Sequence, residues 1–206
     1  MVTWMTTFLA AGAVAAQAAA GGEVNHTFWY LSRTAGLCAY VVLVVNMALG
    51  IALSMPVLER WVMKWRIFDL HQFTSLLGLG FIGLHVLTLL GDHYIGYNLA
   101  QVLVPFADAP YRPEWVALGQ IGLYLLVPVT FTFYIRRQIG NRAWRVIHYL
   151  SYAVFAMALL HGLFSGTDSG NVWVSGMYWV SAASLLALTA YRLSSMVQSP
   201  RSKVQT

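Results

Sequence analysis

The sequence predicts an all-α fold, a polytopic bundle of membrane-spanning helices, and three observations carry that expectation. Six stretches contain no Asp, Glu, Lys or Arg: 1–22, 34–58, 70–91, 115–135, 146–167 and 169–191, each 21 to 25 residues long. About 20 apolar residues suffice for one helix to cross the hydrocarbon core of a bilayer. Only 9% of the 206 residues are charged and 59% are hydrophobic, with a mean hydropathy of +0.64, whereas a soluble domain is about a quarter charged. The basic residues also alternate between loops, as topology requires. A soluble globular enzyme is therefore excluded, and the longest polar stretch between windows, the 23 residues from Asp92 to Glu114, has no room for a soluble catalytic domain. The net charge of +5 is read as a topology signal, with no nucleic-acid partner implied.

The first window, 1–22, is built from Ala, Gly and Thr with few large side chains (Trp4, Met5, Phe8, Leu9), and is read as a sixth, N-terminal helix beside five core ones. A signal peptide is the alternative: Ala16-Gln17-Ala18 resembles a small-residue cleavage site, but the start lacks the usual positive charge. Residues 30–195 are expected to form one transmembrane domain and 196–206 a cytoplasmic tail. Windows 34–58 and 70–91 are separated by Arg60, Lys64 and Arg66; windows 115–135 and 146–167 by Arg136, Arg137, Arg142 and Arg145; Arg192, Arg201 and Lys203 follow the last. The opposite loops hold only Arg33 and Arg112, with five of the seven acids: Glu23, Asp92, Asp108, Glu114 and Asp168. The ten clustered cations face the cytoplasm by the positive-inside rule. Windows 70–91 and 146–167 then both run outward, and the C-terminus is cytoplasmic. Between windows 70–91 and 115–135, the apolar run from Tyr97 to Phe106, bounded by Pro105, Pro110 and Pro113, predicts a short interfacial helix over the bundle. Cys38 is the only cysteine, so there is no intramolecular disulfide and no cysteine-based metal site.

Ionisable side chains inside a bilayer are costly and by default mark function. Window 70–91 carries His71 and His85, 14 residues apart; window 146–167, with its flank, carries His148 and His161, 13 apart. At a helical rise of 1.5 Å these are about 21 Å and about 20 Å of axis. On parallel helices, His71 matches His148 in depth and His85 matches His161. Two facing histidines at one depth can supply both axial ligands of a haem iron, and two such layers make a stack of two haems that conducts electrons across the membrane. Structural hydrogen bonding between helices and a proton or metal pathway are the alternatives. One detail fits poorly: 14 residues keep His71 and His85 on one face, whereas 13 fall short of four turns by more than a third of a turn. His26 and His93 fall in outer loops, where a solvated role is expected.

The segments Leu70-His71-Gln72 to His85-Val86-Leu87 and Trp144-Arg145-Val146-Ile147-His148-Tyr149 to His161-Gly162-Leu163 closely resemble the ferric reductase-like transmembrane domain. That family includes NADPH oxidases, ferric reductases and the haem-binding membrane subunit of the periplasmic methionine sulfoxide reductase system. The resemblance covers about residues 30 to 195. It implies two b-type haems ligated by His71, His148, His85 and His161, which pass electrons outward from the cytoplasmic side. The family's oxidases and ferric reductases receive electrons from a C-terminal FAD and NAD(P)H domain. With about 14 residues after Arg192, that domain is expected to be absent here, so the donor is a quinol or a separate flavoprotein, and an acceptor sits at the outer face.

Haem propionates are anionic and need cations, which makes Arg33, Arg112, Arg142 and Arg145 candidate cofactor-binding residues. Arg33 opens a run, Arg33-Thr34-Ala35-Gly36, that resembles the first core helix of the family. Gly78 and Gly80, midway between His71 and His85, are further candidates, as small residues that let flat macrocycles or helices approach. The expected protein is thus an integral membrane protein, of a bacterial plasma membrane, acting as the haem-bearing electron-transfer subunit of a larger oxidoreductase complex. A non-redox structural or assembly subunit and a histidine-lined transporter stand as the alternatives.

Overall fold

The structure is a computed structural model that describes residues 26–55, 63–92, 96–107 and 110–198. The expectations for window 1–22, for Arg60 and His93, and for the tail after residue 198 lie outside the described residues. The described elements are helices: α1 (Thr27–Ala52), α2 (Lys64–Leu90), α3 (Leu99–Leu103), α4 (Pro113–Phe131), α5 (Arg136–Ile139), α6 (Asn141–Ser165) and α7 (Val172–Gln198). Among them α1, α2, α4, α6 and α7 are long and apolar enough to cross a membrane, so the all-α bundle with five core helices is what the chain forms. The helical domain starts at Thr27 and α7 runs on to Gln198, slightly beyond the expected 30–195 on both sides.

The helix ends follow local chemistry more closely than the charge-free windows do. α2 begins at Lys64, six residues before its window, because the exposed Lys64 and Arg66 can carry their charges outward on flexible stems. α4 opens with Pro113 at its first position and Glu114 in its first turn, where a missing N–H costs nothing and a negative charge meets the positive end of the helix dipole. It stops at Phe131, soon after the internal Pro128 has removed a backbone donor. Gly140, at φ 84°, supplies the left-handed turn that feeds the short α5 directly into α6. At the far end of α6, Ser169 Oγ donates to the carbonyls of Gly162 and Gly166, and the Arg112 guanidinium donates to the carbonyl of Phe164. These satisfy acceptors that every helix C-terminus leaves open.

Two antiparallel hairpins make the frame, α1 with α2 and α4 with α6. Tyr40, Leu43, Met47, Ile51 and Met55 of α1, Phe155 of α6, and Tyr178 and Leu185 of α7 form the main buried cluster. Tyr40 is its polar anchor, with its hydroxyl 2.6 Å from Ser181 Oγ and its ring edge-on to Tyr178. The outward faces are apolar: Leu87, Val146, Trp173 and Leu186 are all exposed, as lipid-facing side chains are and as a water-soluble surface is not. The chain is an integral membrane protein.

The short helix α3 lies inside the apolar run that predicted it. Asn98 and Gln101 close a reciprocal capping box at its start. Gln120 of α4 donates to the carbonyls of Gln101 and Val102, and Tyr124 to that of Leu103. Tyr97 and Val102 are buried against Val86, Leu89, Leu90 and Tyr111, while Leu99 and Leu103 point outward. α3 is thereby strapped across one end of the bundle.

Candidate functional site

The two hairpins bring four histidines together in pairs. In one layer the rings of His71 (α2) and His148 (α6) face each other with centroids 6.2 Å apart and planes at 77°. In the other, His85 (α2) and His161 (α6) lie 6.4 Å apart at 74°. α2 and α6 are therefore parallel, and the depths match as the spacing predicts.

Three of the four rings are oriented in the same way. His71 Nδ1 donates to the carbonyl of Asn46 (3.0 Å), His85 Nδ1 to that of Ser32 (2.8 Å) and His161 Nδ1 to that of Trp115 (2.8 Å), each on the antiparallel partner helix. A carbonyl can only accept, so the proton sits on Nδ1 and Nε2 keeps its lone pair, the arrangement that metal-ligating histidines adopt. Four residues after each accepting carbonyl stands a glycine: Gly50 after Asn46, Gly36 after Ser32 and Gly119 after Trp115. A Cβ at those positions would lie 3.1 Å from His71 Cε1, 3.1 Å from His85 Nδ1 and 2.8 Å from His161 Nδ1. Each ring therefore rests on a helix surface from which the side chain has been removed. Around them, Ser32 Oγ sits 3.0 Å from His85 Nδ1, and Asn46 Oδ1 accepts from Thr74 and Ser75.

His148 departs from this pattern. Its Nδ1 is buried without a hydrogen-bond partner among the described residues; the Val129 carbonyl is near the ring but not in hydrogen-bond geometry with Nδ1. Four residues after Val129 comes Phe133, by which point α4 has ended. The ring is held instead by stacking on Trp144, one turn earlier in α6, at 5.4 Å and 27°. The 13-residue spacing accounts for the difference. Trp115 and Val129 are 14 apart on α4 whereas His161 and His148 are 13 apart on α6, so the two helices cannot repeat the same contact at both depths.

A cavity of 380 Å³ adjoins the His71–His148 layer and one of 250 Å³ adjoins the His85–His161 layer. Leu43, Leu126 and Val154 line both and form an apolar partition between them. The gap within each pair has a chemical meaning. Two imidazoles that would hold one metal ion between them through Nε2 have centroids about 6.2 Å apart, from two bonds of about 2 Å and about 1.1 Å from each nitrogen to its ring centre. The observed 6.2 and 6.4 Å lie close to that value. Among the described residues no group of three or more His, Cys, Asp or Glu converges on one point. Among the described residues a layer thus offers two imidazole nitrogens, a donor set that would suit a metal carried in its own macrocycle better than a bare ion.

The other candidates are placed as follows. Arg33 forms an ion pair with Asp168, its Nε 2.8 Å from Oδ2, and stacks over the Trp29 ring at the edge of the second-layer cavity. Arg112 caps α6 as described. Arg145 lines the first-layer cavity from an exposed position, and Arg142 is exposed and lines neither. Gly78 is buried and faces Val42 of α1, where a Cβ would make ordinary contact at 3.5 Å; Gly80 is exposed with open space around it. The glycines that touch the histidines are instead Gly36, which the sequence marked only as part of the run after Arg33, and Gly50 and Gly119, which did not stand out. The 14-residue interval between Gly36 and Gly50, equal to that between His71 and His85, was the available signal.

The family model described as the ferric reductase like transmembrane component matches residues 35–159, more than half of the chain. The match includes His71, His85 and His148 and ends just before His161. Two relatives are the magnetosome protein MamZ of Paramagnetospirillum magneticum and that of Magnetospirillum gryphiswaldense, each 25% identical over 79% of this chain. The chain spans only 23% of the length of those proteins. A third is the protein-methionine-sulfoxide reductase heme-binding subunit MsrQ of Agrobacterium fabrum, 25% identical over 81% of this chain and 76% of that protein. No solved structure matches the chain. With paired histidines on two parallel helices and a family match over most of the frame that holds them, the chain belongs to the ferric reductase like transmembrane component family.

Proposed function

We propose that the protein is the electron-transfer subunit of a bacterial membrane oxidoreductase and holds two b-type haems, one between His71 and His148 and one between His85 and His161. The observation that carries this reading is the two imidazole gaps, 6.2 and 6.4 Å, each of the width at which His71 with His148, and His85 with His161, would hold one haem iron between them. The haem-binding subunit MsrQ among the relatives supports it. Bound in each layer, the iron supplies a one-electron Fe(III)/Fe(II) couple.

The chain's own residues do the rest. The Asn46, Ser32 and Trp115 carbonyls hold three imidazoles through Nδ1 and leave Nε2 its lone pair, which raises ligand basicity and fixes ring orientation. Gly36, Gly50 and Gly119 let the rings sit against α1 and α4. Leu43, Leu126 and Val154 keep water out of the space between layers. The 14 residues from His71 to His85 place the layers about 21 Å apart along α2, most of a hydrocarbon core about 30 Å thick. By the positive-inside rule the His71–His148 layer faces the cytoplasm. A quinol or a flavoprotein donates on that side and a separate acceptor takes the electrons outside.

The test is electron flux across a sealed membrane. In liposomes loaded with an impermeant ferric acceptor, the haem-replete chain should reduce that acceptor when reductant is added outside, and His85→Ala should abolish the flux. A haem-replete chain that passes no electrons to the trapped acceptor would refute the proposal.

A further inference from the structure

The two cavities differ in charge. The ionic side chains lining the second-layer cavity, Arg33 and Asp168, neutralise each other. The first-layer cavity is lined by Arg145 and Arg192 and by no Asp or Glu. Two donors on residues that line it, Arg192 Nε and Trp144 Nε1, are buried with no hydrogen-bond partner among the described residues. Arg192 is not loose: its Nη1 reaches the Tyr152 hydroxyl at 3.3 Å, which ties the guanidinium of α7 to α6 one turn beyond His148. Trp144 is held too, by stacking on His148.

An unmade hydrogen bond at a buried donor costs about 1–3 kcal/mol, and more when the group is charged. A cavity lined by two arginines and, among the described residues, by no acid, with two buried donors left unpaired on its lining residues, suits an anionic occupant. A guanidinium matches a carboxylate in particular, because its N–H groups form a planar fork. The sequence points to Arg142 and Arg145 for such a role, but Arg192 is the arginine of this cavity whose donor is buried and unpaired. It also lies beyond the residues that the family model matches.

We propose that Arg192 and Trp144, with Arg145 at the rim, form a carboxylate-binding subsite for the anionic side chains of the tetrapyrrole held between His71 and His148. This rests on the haem reading above. It makes α7, which contributes no histidine, part of the first-layer site, and it gives that layer a cationic surrounding which the second layer lacks.

The test compares haem with its dimethyl ester, in which both carboxylates are masked, each reconstituted into the full chain in detergent. Release to an excess of apomyoglobin is followed in the Soret band, and the first-layer equivalent is identified as the one missing from His71→Ala. The ester should leave that layer about tenfold faster than free-acid haem, equivalent to ~1.4 kcal/mol. Arg192→Gln should release free-acid haem at the faster rate and show no further gain from esterification, with Arg192→Lys in between. Equal release of the two forms from the wild-type chain, or an ester effect undiminished in Arg192→Gln, overturns the subsite while leaving the haem reading intact. A wild-type chain that takes up no haem in the His71–His148 layer overturns that reading and the subsite with it.

Discussion

Adding one methyl group at Gly119 should disturb the second layer through the ring of His161 itself. An alanine Cβ there would lie 2.8 Å from Nδ1, 2.9 Å from Cε1 and 3.0 Å from Cγ of His161. Comfortable non-bonded contact begins at about 3.5 Å, so the ring must retreat by roughly 0.7 Å. It is tethered at Nδ1 to the Trp115 carbonyl at 2.8 Å, and the same retreat stretches that bond out of hydrogen-bond range. Losing the bond costs about 1 kcal/mol and the overpacking about 1–3 kcal/mol, against a gain of up to about 1 kcal/mol from replacing a helical glycine by alanine. The net destabilisation is about 1–4 kcal/mol. Displacing the partner that orients a metal-ligating histidine also weakens retention by roughly 10- to 100-fold. Gly36→Ala and Gly50→Ala, with closest approaches of 3.1 Å, should show smaller losses in the same direction, whereas Gly80→Ala meets nothing within 4 Å and should be neutral or stabilising. Haem content per chain after gel filtration and thermal unfolding in detergent measure both effects. A Gly119→Ala chain that matches Gly80→Ala in loading and melting temperature would refute the reasoning.

Other consequences follow from single contacts. Arg33 and Asp168 are each about a quarter exposed, so a double-mutant cycle on the pair should return no more than about 1 kcal/mol of coupling; a value near 3 kcal/mol would contradict that. Burial, with Tyr111 adding to it, pushes the Tyr97 hydroxyl up to about 12, against about 10 in the unfolded chain. Its neutral form is thus favoured in the fold, and its stabilisation is intact below pH 10 and lost as the pH rises from about 10 to 12. Tyr97→Phe should remove that part of the alkaline loss in melting temperature, and an unchanged alkaline profile would count against it. Imidazole planes crossed at 77° and 74° should give strongly anisotropic low-spin ferric signals in electron paramagnetic resonance. Signals of parallel planes would contradict the ring orientations.

The parts of this molecule that were legible in the sequence depend on one helix at a time. Charge-free windows locate α1, α2, α4, α6 and α7 because a bilayer imposes length and apolarity on each span separately. The depth matching of His71 with His148 and of His85 with His161 follows from counting along two helices that run the same way. What was not legible depends on a second helix in a register that the sequence does not state. Gly78 and Gly80 attract attention because they share α2 with the histidines, yet the rings lean across to α1 and α4, where Gly36, Gly50 and Gly119 make room. Arg33 reads as a free cation until Asp168, 135 residues later, is placed beside it. The 13-residue spacing on α6 is a visible irregularity, but its outcome, a histidine held by Trp144 with no carbonyl bond, depends on the 14-residue interval from Trp115 to Val129 on the facing helix α4.

The central claim is that each histidine pair holds one haem, and the most direct measurement is haem per chain in single and paired variants. The account predicts a ratio near two for the wild-type chain and near one for His71→Ala, with no further loss in the His71→Ala/His148→Ala double variant; a His71→Ala/His161→Ala chain, which breaks both layers, should fall toward zero. A wild-type ratio below one in a fully loaded preparation, or a His71→Ala/His161→Ala chain that keeps as much haem as His71→Ala/His148→Ala, would contradict it.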